Sequence, residues 1–449
     1  MQAEGALWRA PHLPFFLLAA LWAALVPLVW PAPGLVCDPV AWHRQELVLG
    51  VAGAAMAGYL LTALPHWTGG GGAGPWVTRG LALAWVTGRV LGGPCLPDTL
   101  ALVGLCLLPL ALAAALALPV IAARVWGRLP MALAPLVLIV IGVRLRLDSD
   151  GLTAGLGLAL LVALVGGRIL PAFLHARAGA DSTTRLPVPV AARAVDLMLA
   201  LALAGHLAEA GPRLVGVLLL VAALGQALRM ARWPLAQGLS GWPSDLVALL
   251  AAWVWLPVGL ALVGLSHGFA TGLPLPAALH ALTMGLMGSM ILAVMARAWA
   301  RRVPGALRLG PVLALAIALV HVAAILRLGQ PDPTLAAVCW SAGWALACAA
   351  ALVALFCPVS HPVLSARRAH PSVSAENGLE TLACATCPCP SGKTATSKTG
   401  SGSGPRVGST EAAPDPASIA SANETGIHRS GAQVASAVRS AGTCRKDGA

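Results

Sequence analysis

Charge is scarce in this 449-residue chain: only 10% of its residues are Asp, Glu, Lys or Arg, and no lysine occurs before Lys393. A soluble domain needs charged side chains to solvate its surface and keeps apolar patches small. The scarcity, beside 58% hydrophobic residues and a mean hydropathy of +0.81, therefore excludes a water-soluble protein. The formal net charge of +12 comes from arginines set between apolar runs, where they report membrane orientation and do not form a nucleic-acid surface. A phosphate loop is also absent, because Cys387 stands where Gly392-Lys393-Thr394 would need its leading glycine. The glycines between 69 and 74 follow no strand and read as a loop. The cysteines form no paired secreted framework: Cys37, Cys95, Cys106, Cys339, Cys348 and Cys357 lie in or beside apolar segments and read as small buried hydrophobes.

What is present is a succession of apolar runs, near residues 14–30, 46–64, 79–91, 99–123, 131–143, 152–170, 190–208, 214–228, 246–266, 277–296, 307–326 and 335–357. These predict an all-α fold, a polytopic transmembrane helical bundle of about twelve helices occupying residues 1–360. The third and fifth runs are short for a bilayer, and losing one would invert everything after it. Charge bias supports the count. With a cytoplasmic N-terminus, the inner loops carry Arg9, Arg79, Arg124, Arg128, Arg177, Arg185, Arg229, Arg232, Arg297, Arg301, Arg302 and Arg308. The outer side has only Arg44, Arg144, Arg146, Arg213 and Arg327. Residues 361–449 turn to Ser, Gly, Thr, Ala and Pro and read as a basic, disordered cytoplasmic tail, in which Cys384, Cys387 and Cys389 form a soft cluster.

The stretch 279–302 joins a histidine, a long apolar helix and a cationic stop. His280 opens it, with Thr283, Met284 and Met287 on the same helical side, and Gly285 and Ser289 form a small-xxx-small pair that predicts close helix approach. His43, His206, His267 and His321 fall toward the same outer face on other helices. Neutral imidazoles from separate helices are how a bundle builds axial ligands for haem or a nitrogen-rich site for copper. The methionine sulfurs beside His280 suit Cu(I). Equally, histidines at helix ends bond headgroups, water or carbonyls. His321, inside an apolar helix, needs either a metal or a cross-helix partner. Glu46, three residues after His43, is placed either to orient that imidazole or to serve as an ordinary helix-start acid. Asp196 and Arg89 read as proton waypoints or as paired structural charges.

The blocks Trp42-His43-Arg44-Gln45-Glu46 and Gly58-Tyr59-Leu60-Leu61-Thr62-Ala63-Leu64-Pro65-His66-Trp67-Thr68-Gly69 resemble the N-terminal signature of the NnrS family. Gly166-Gly167-Arg168-Ile169-Leu170-Pro171 is similar to its central motif, and His280 to Gly285 through Met295-Ala296-Arg297 to its late histidine helix. The resemblance implies a multi-pass protein of the bacterial inner membrane, with both termini cytoplasmic, that carries haem and copper. It also implies a role in the nitric oxide response and in protection against nitrosative stress, by turnover or by binding of a nitrogen oxide. The electron donor is not identified. Two positions depart from the family pattern: Gln45 replaces a second histidine of the first block, and Leu250 stands near a histidine of the ninth helix. The expected cofactor-binding set is His43, His206, His280 and His321. His43, His280, Met284 and Met287 are the metal candidates, supported by Glu46 and Thr283. The expected partners are the lipid bilayer and nitric oxide or a related small molecule, with no nucleic acid. The competing expectation is a secondary transporter or channel without a metal, against which the chain shows few intramembrane charges and no clear internal repeat. A third is a non-catalytic membrane scaffold that binds partners through its tail.

Overall fold

A computed structural model describes residues 7–29, 36–93, 95–177, 190–233, 242–303, 306–329 and 332–356. The expected tail and its cysteine cluster lie outside them. Twelve long helices account for nearly all of the described chain. They are α1 (His12–Leu25), α2 (Pro39–Thr68), α3 (Pro75–Leu91), α4 (Asp98–Ala122), α5 (Trp126–Asp148) and α6 (Gly151–Arg177). These are followed by α7 (Val190–Leu207), α8 (Pro212–Ala231), α9 (Ser244–Gly268), α10 (Leu275–Trp299), α11 (Pro311–Gly329) and α12 (Thr334–Phe356). A short antiparallel pair, β1 (Arg301–Val303) and β2 (Ala306–Arg308), connects α10 to α11. Nine helices among the described residues are long and apolar enough to cross a membrane. The bundle is the all-α polytopic architecture that the hydropathy predicts.

Local chemistry explains where the helices begin and end. Asp38 caps α2 by accepting from the Ala41 amide at 2.9 Å, with Pro39 supplying the preset first-turn φ. Asp150 does the same for α6, taking the amides of Leu152 and Thr153 at 3.0 Å each. α2 ends at Gly69, whose φ of 69° is left-handed and so favours glycine.

Sequence neighbours pack as antiparallel pairs, α8 on α9 and α11 on α12 most extensively, and α12 returns to α1, where the Trp340 indole donates to the Ala23 carbonyl at 2.9 Å. α2 and α10 are the most buried helices. Of the expected Gly285–Ser289 pair, Gly285 allows close approach to an indole ring, since a Cβ there would strike Trp255, while the buried Ser289 hydroxyl donates back to the Gly285 carbonyl. The neighbouring Gly288 likewise leaves room for Trp340. The central motif has a similar reason. Gly167 leaves room for Arg229 to donate to its carbonyl at 2.7 Å, while Gly166 faces Trp253.

All twelve helices alternate in direction. The ends of α1, α5, α7, α9 and α11 and the starts of α2, α6, α10 and α12 meet around one cavity. Gln45, near the start of α2, bonds Gly92 at the end of α3, Arg146 near the end of α5 bonds Asp98 at the start of α4, and Gly216 of α8 packs against Gly268 of α9. Of the two short runs, α5 is among the nine helices long and apolar enough to cross a membrane, whereas α3, at 17 residues, runs the length of the bundle between α2 and α4 without being one of them. The fifth is extended to 23 residues by mixed 3₁₀ and α turns from Trp126.

One expectation is corrected here. Cys37 and Cys95 are not buried hydrophobes: both are exposed and joined in a disulfide, with Cα atoms 5.8 Å apart. Their 58-residue separation hides the pairing, because the α2–α3 hairpin between them is what brings them together. The free cysteines among the described residues, Cys106, Cys339 and Cys348, are partly buried.

Candidate functional site

The cavity at this end of the bundle encloses about 500 Å³. Its wall is mainly apolar, with Leu47 and Val48 of α2, Leu145 of α5, Leu279 of α10 and Ala336 and Trp340 of α12. Four histidines reach it: His43, His206, His267 and His280. Helix ends deliver all four, because alternating helices bring their termini to one level and a polar imidazole is tolerated there.

His43 and His280 share a local feature. Directly after the turn that carries each histidine, the helix leaves α geometry for a π-helical stretch, Glu46–Ala52 on α2 and Ala281–Gly288 on α10. π turns widen the helix, cost regular hydrogen bonding and cluster at functional sites. The Gly50 carbonyl within the first stretch is taken by the Trp85 indole at 2.8 Å. The two imidazoles lie within electrostatic reach of each other and of Arg44 and Arg327, which also line the cavity. His280 Nδ1 donates to the Pro276 carbonyl at 2.5 Å, which fixes the tautomer and leaves the Nε2 lone pair available to a ligand.

His206 is oriented by other groups of the cavity wall. Its Nε2 donates to Asp150 at 3.0 Å, and its ring meets His267 edge-on with centroids 6.0 Å apart. Asp150 also accepts from the Thr153 hydroxyl at 2.6 Å and from Arg144 at 3.2 Å. Burial alone would raise the Asp150 carboxyl, but the Thr153 hydroxyl and amide and then His206 outweigh it and hold the group at about 2. Asp150 is thus a permanent anion at the cavity wall.

Of the remaining expected residues, Met284, Met287 and Thr283 line the cavity, Thr283 with its hydroxyl donating to the Leu279 carbonyl at 3.1 Å. His321 is not among the lining residues. Its Nδ1 accepts from the Trp255 indole at 2.9 Å and the two rings stack, which is the cross-helix partner that its depth demands. Glu46 is engaged by the Trp22 indole at 2.7 Å and Arg89 at 2.8 Å, and Gln45 Nε2 bonds both Glu46 and the Gly92 carbonyl. Asp196 pairs with Arg229 and Gln226, so it and Arg89 are paired structural charges. Leu250 is buried in the main core. Sequence reasoning missed Asp150, Arg44 and Arg327 as cavity groups; Arg44 and Asp150 adjoin residues it had already singled out.

The cavity suits haem in kind: two imidazoles within electrostatic reach of each other, one with its tautomer set, apolar walls for a porphyrin, and two guanidiniums for its acidic edge. For copper, the thioethers of Met284 and Met287 beside His280 give a soft donor set. Among the described residues, no three His, Cys, Asp or Glu side chains gather closely enough to hold a metal ion by themselves. A copper site would therefore need the sulfurs.

No curated protein and no solved structure matches the chain. The family described as NnrS protein matches over residues 6–367, from the start of α1 past the end of α12 and across every histidine that reaches the cavity, and the chain therefore belongs to the NnrS family.

Proposed function

We propose that this membrane protein binds haem in the cavity through His43 and His280, with copper held by His280, Met284 and Met287 as the alternative occupant. The observation that carries the reading is the pair of histidines on one cavity, each followed directly by a π-helical stretch. A regular α-helix has no reason to pay for that irregularity twice at the same depth unless the two side chains must be aimed. The role is the nitric oxide response and protection against nitrosative stress, in the bacterial inner membrane.

Ferrous haem or Cu(I) would supply a centre that binds nitric oxide directly. The chain's own residues do the rest. Pro276 holds the His280 ring, Arg44 and Arg327 balance negative charge at the rim, and the apolar wall keeps bulk water out, favouring a neutral diatomic over ions. Asp150, ionised and bonded to His206, fixes the ring of that imidazole beside the same space. The intramembrane charges favour this reading over a transport route, because Glu46–Arg89, Asp196–Arg229 and Asp245–Arg297 are closed pairs rather than a polar path. The cavity's face is taken as extracytoplasmic, since it also carries the disulfide and is poor in arginine.

The test is absorbance and elemental analysis of the full-length protein in detergent, with His43→Ala and His280→Ala. Each variant is expected to lose the haem Soret band, or copper, while still inserting in the membrane. Unchanged haem and copper in both variants would sink the assignment.

A further inference from the structure

The Cys37–Cys95 disulfide lies at one end of the turn that carries His43. Cys37 directly precedes the Asp38 cap, and the first segment of α2, Pro39–Gln45, then presents Val40, His43 and Arg44 to the cavity. At its inner end this segment meets the π-helical stretch, and Gln45 is bonded to the Gly92 carbonyl. At its outer end it is tied through the disulfide to Cys95. Both ties reach the same α3–α4 connection. Arg146 braces that connection against α5 by donating to the Leu96 carbonyl at 2.6 Å and to Asp98 at 2.7 Å, and α5 reaches the cavity lining at Leu145, in one buried cluster with Val48 of α2. The histidine turn therefore hangs between a covalent tie and an irregular helix joint. The joint is the kind of local geometry that absorbs rotation. The tie is exposed on both cysteines, whereas the other free cysteines among the described residues are half-buried.

We propose that Cys37–Cys95 is a thiol–disulfide exchange site whose oxidation state sets the placement of the His43–Arg44 turn in the cavity wall, and that its reactant is a protein dithiol acting at that membrane face. One thiolate of the dithiol attacks a chain sulfur, breaking the Cys37–Cys95 bond and releasing the other cysteine as a thiolate that takes a proton. The second dithiol sulfur then displaces the mixed disulfide. The chain gains two electrons and two protons as Cys37 and Cys95 thiols, and the dithiol leaves oxidised. Exposure directs the reaction here, and the π stretch confines its consequence to one turn. The inference holds whether or not a metal occupies the cavity.

The experiment uses the full-length protein in detergent, with dithiothreitol as the dithiol. Mild reduction followed by alkylation and peptide mass spectrometry is expected to show new label on Cys37 and Cys95 together. Amide hydrogen exchange across residues 39–45 is expected to speed up roughly tenfold on reduction, with residues 53–68 unchanged. Diethylpyrocarbonate should modify His43 faster in the same sample while the rate at His12 stays constant. Cys37→Ser should reproduce the reduced pattern; should it aggregate, the reduced wild-type protein decides. Free thiols at Cys37 and Cys95 in protein from the oxidising compartment, a bond that resists dithiothreitol in the folded protein, or identical exchange across 39–45 before and after reduction would each overturn the proposal.

Discussion

His43, beside Arg44, Gln45 and Glu46 at a helix start, and His321, inside an apolar helix, are both expected ligands from the sequence, yet the fold places them differently. His321 accepts the Trp255 indole proton, and Trp255 in turn lies against Gly285, so this histidine closes a contact among α9, α10 and α11. His321→Ala leaves the half-buried Trp255 donor without an acceptor, and the expected cost is about 1 kcal/mol of stability in detergent melts. Its haem and copper content should match that of the unaltered protein. Loss of metal in His321→Ala, with folding intact, would place this residue back among the ligands. The sequence pattern flags each polar residue in an apolar helix but carries no information on which neighbour answers it. The groups that bond them, Trp255 for His321 and Pro276 for His280, lie 66 and 4 positions away. The partners of Gln45 and Glu46 are equally hidden, since Gly92 and Arg89 arrive from another helix.

At the scale of the element, helix positions follow from hydropathy, because about twenty apolar residues must cross the hydrocarbon. Their internal geometry does not. The π stretches after His43 and His280 are runs of mostly small and aliphatic residues, ELVLGVA and ALTMGLMG, with Trp85, Trp255 and Trp340 lying against them from other helices, and no local pattern announces them. Capping is closer to the sequence. Asp150 precedes α6 as an Asx cap and also accepts from His206 and Arg144, so one carboxylate ties α5, α6 and α7 together. Its folded-state value of about 2 lies below the ordinary 3.8, so the anion stabilises the fold above pH 4 and that contribution fades as pH falls toward 2. Asp150→Asn should lower stability by about 1 kcal/mol at neutral pH, because asparagine still caps α6 but loses the charge in the bonds from His206 and Arg144. Thermal melts of the two proteins should converge between pH 4 and pH 2. A gap that persists unchanged at pH 2 would show that the charge of Asp150 is not what α6 and His206 rely on.

For the whole molecule, the arginine bias and the helix count support each other, and the fold adds an independent check. Cavity-lining residues come from ends that alternate along the chain, which requires α3 and α5 each to run from one end of the bundle to the other. Were α3 only a surface helix, Gly72 and Gly93 would share a face; with α3 crossing, they oppose each other. The same holds for Arg124 and Ser149 on either side of α5. The disulfide supports the direction proposed above, because such bonds persist mainly outside the cytoplasm. Alkaline phosphatase, which is active only after export, should therefore work when fused after Gly93, Ser149 or Thr271 and stay inactive after Gly72 or Arg124. Equal activity at Gly72 and Gly93 would remove α3 from the count and invert the assignment of every later helix. Activity at Gly72 and Arg124 alone would turn the cavity toward the cytoplasm, where a Cys37–Cys95 bond would be reduced and nitric oxide would meet the His43–His280 wall from inside the cell.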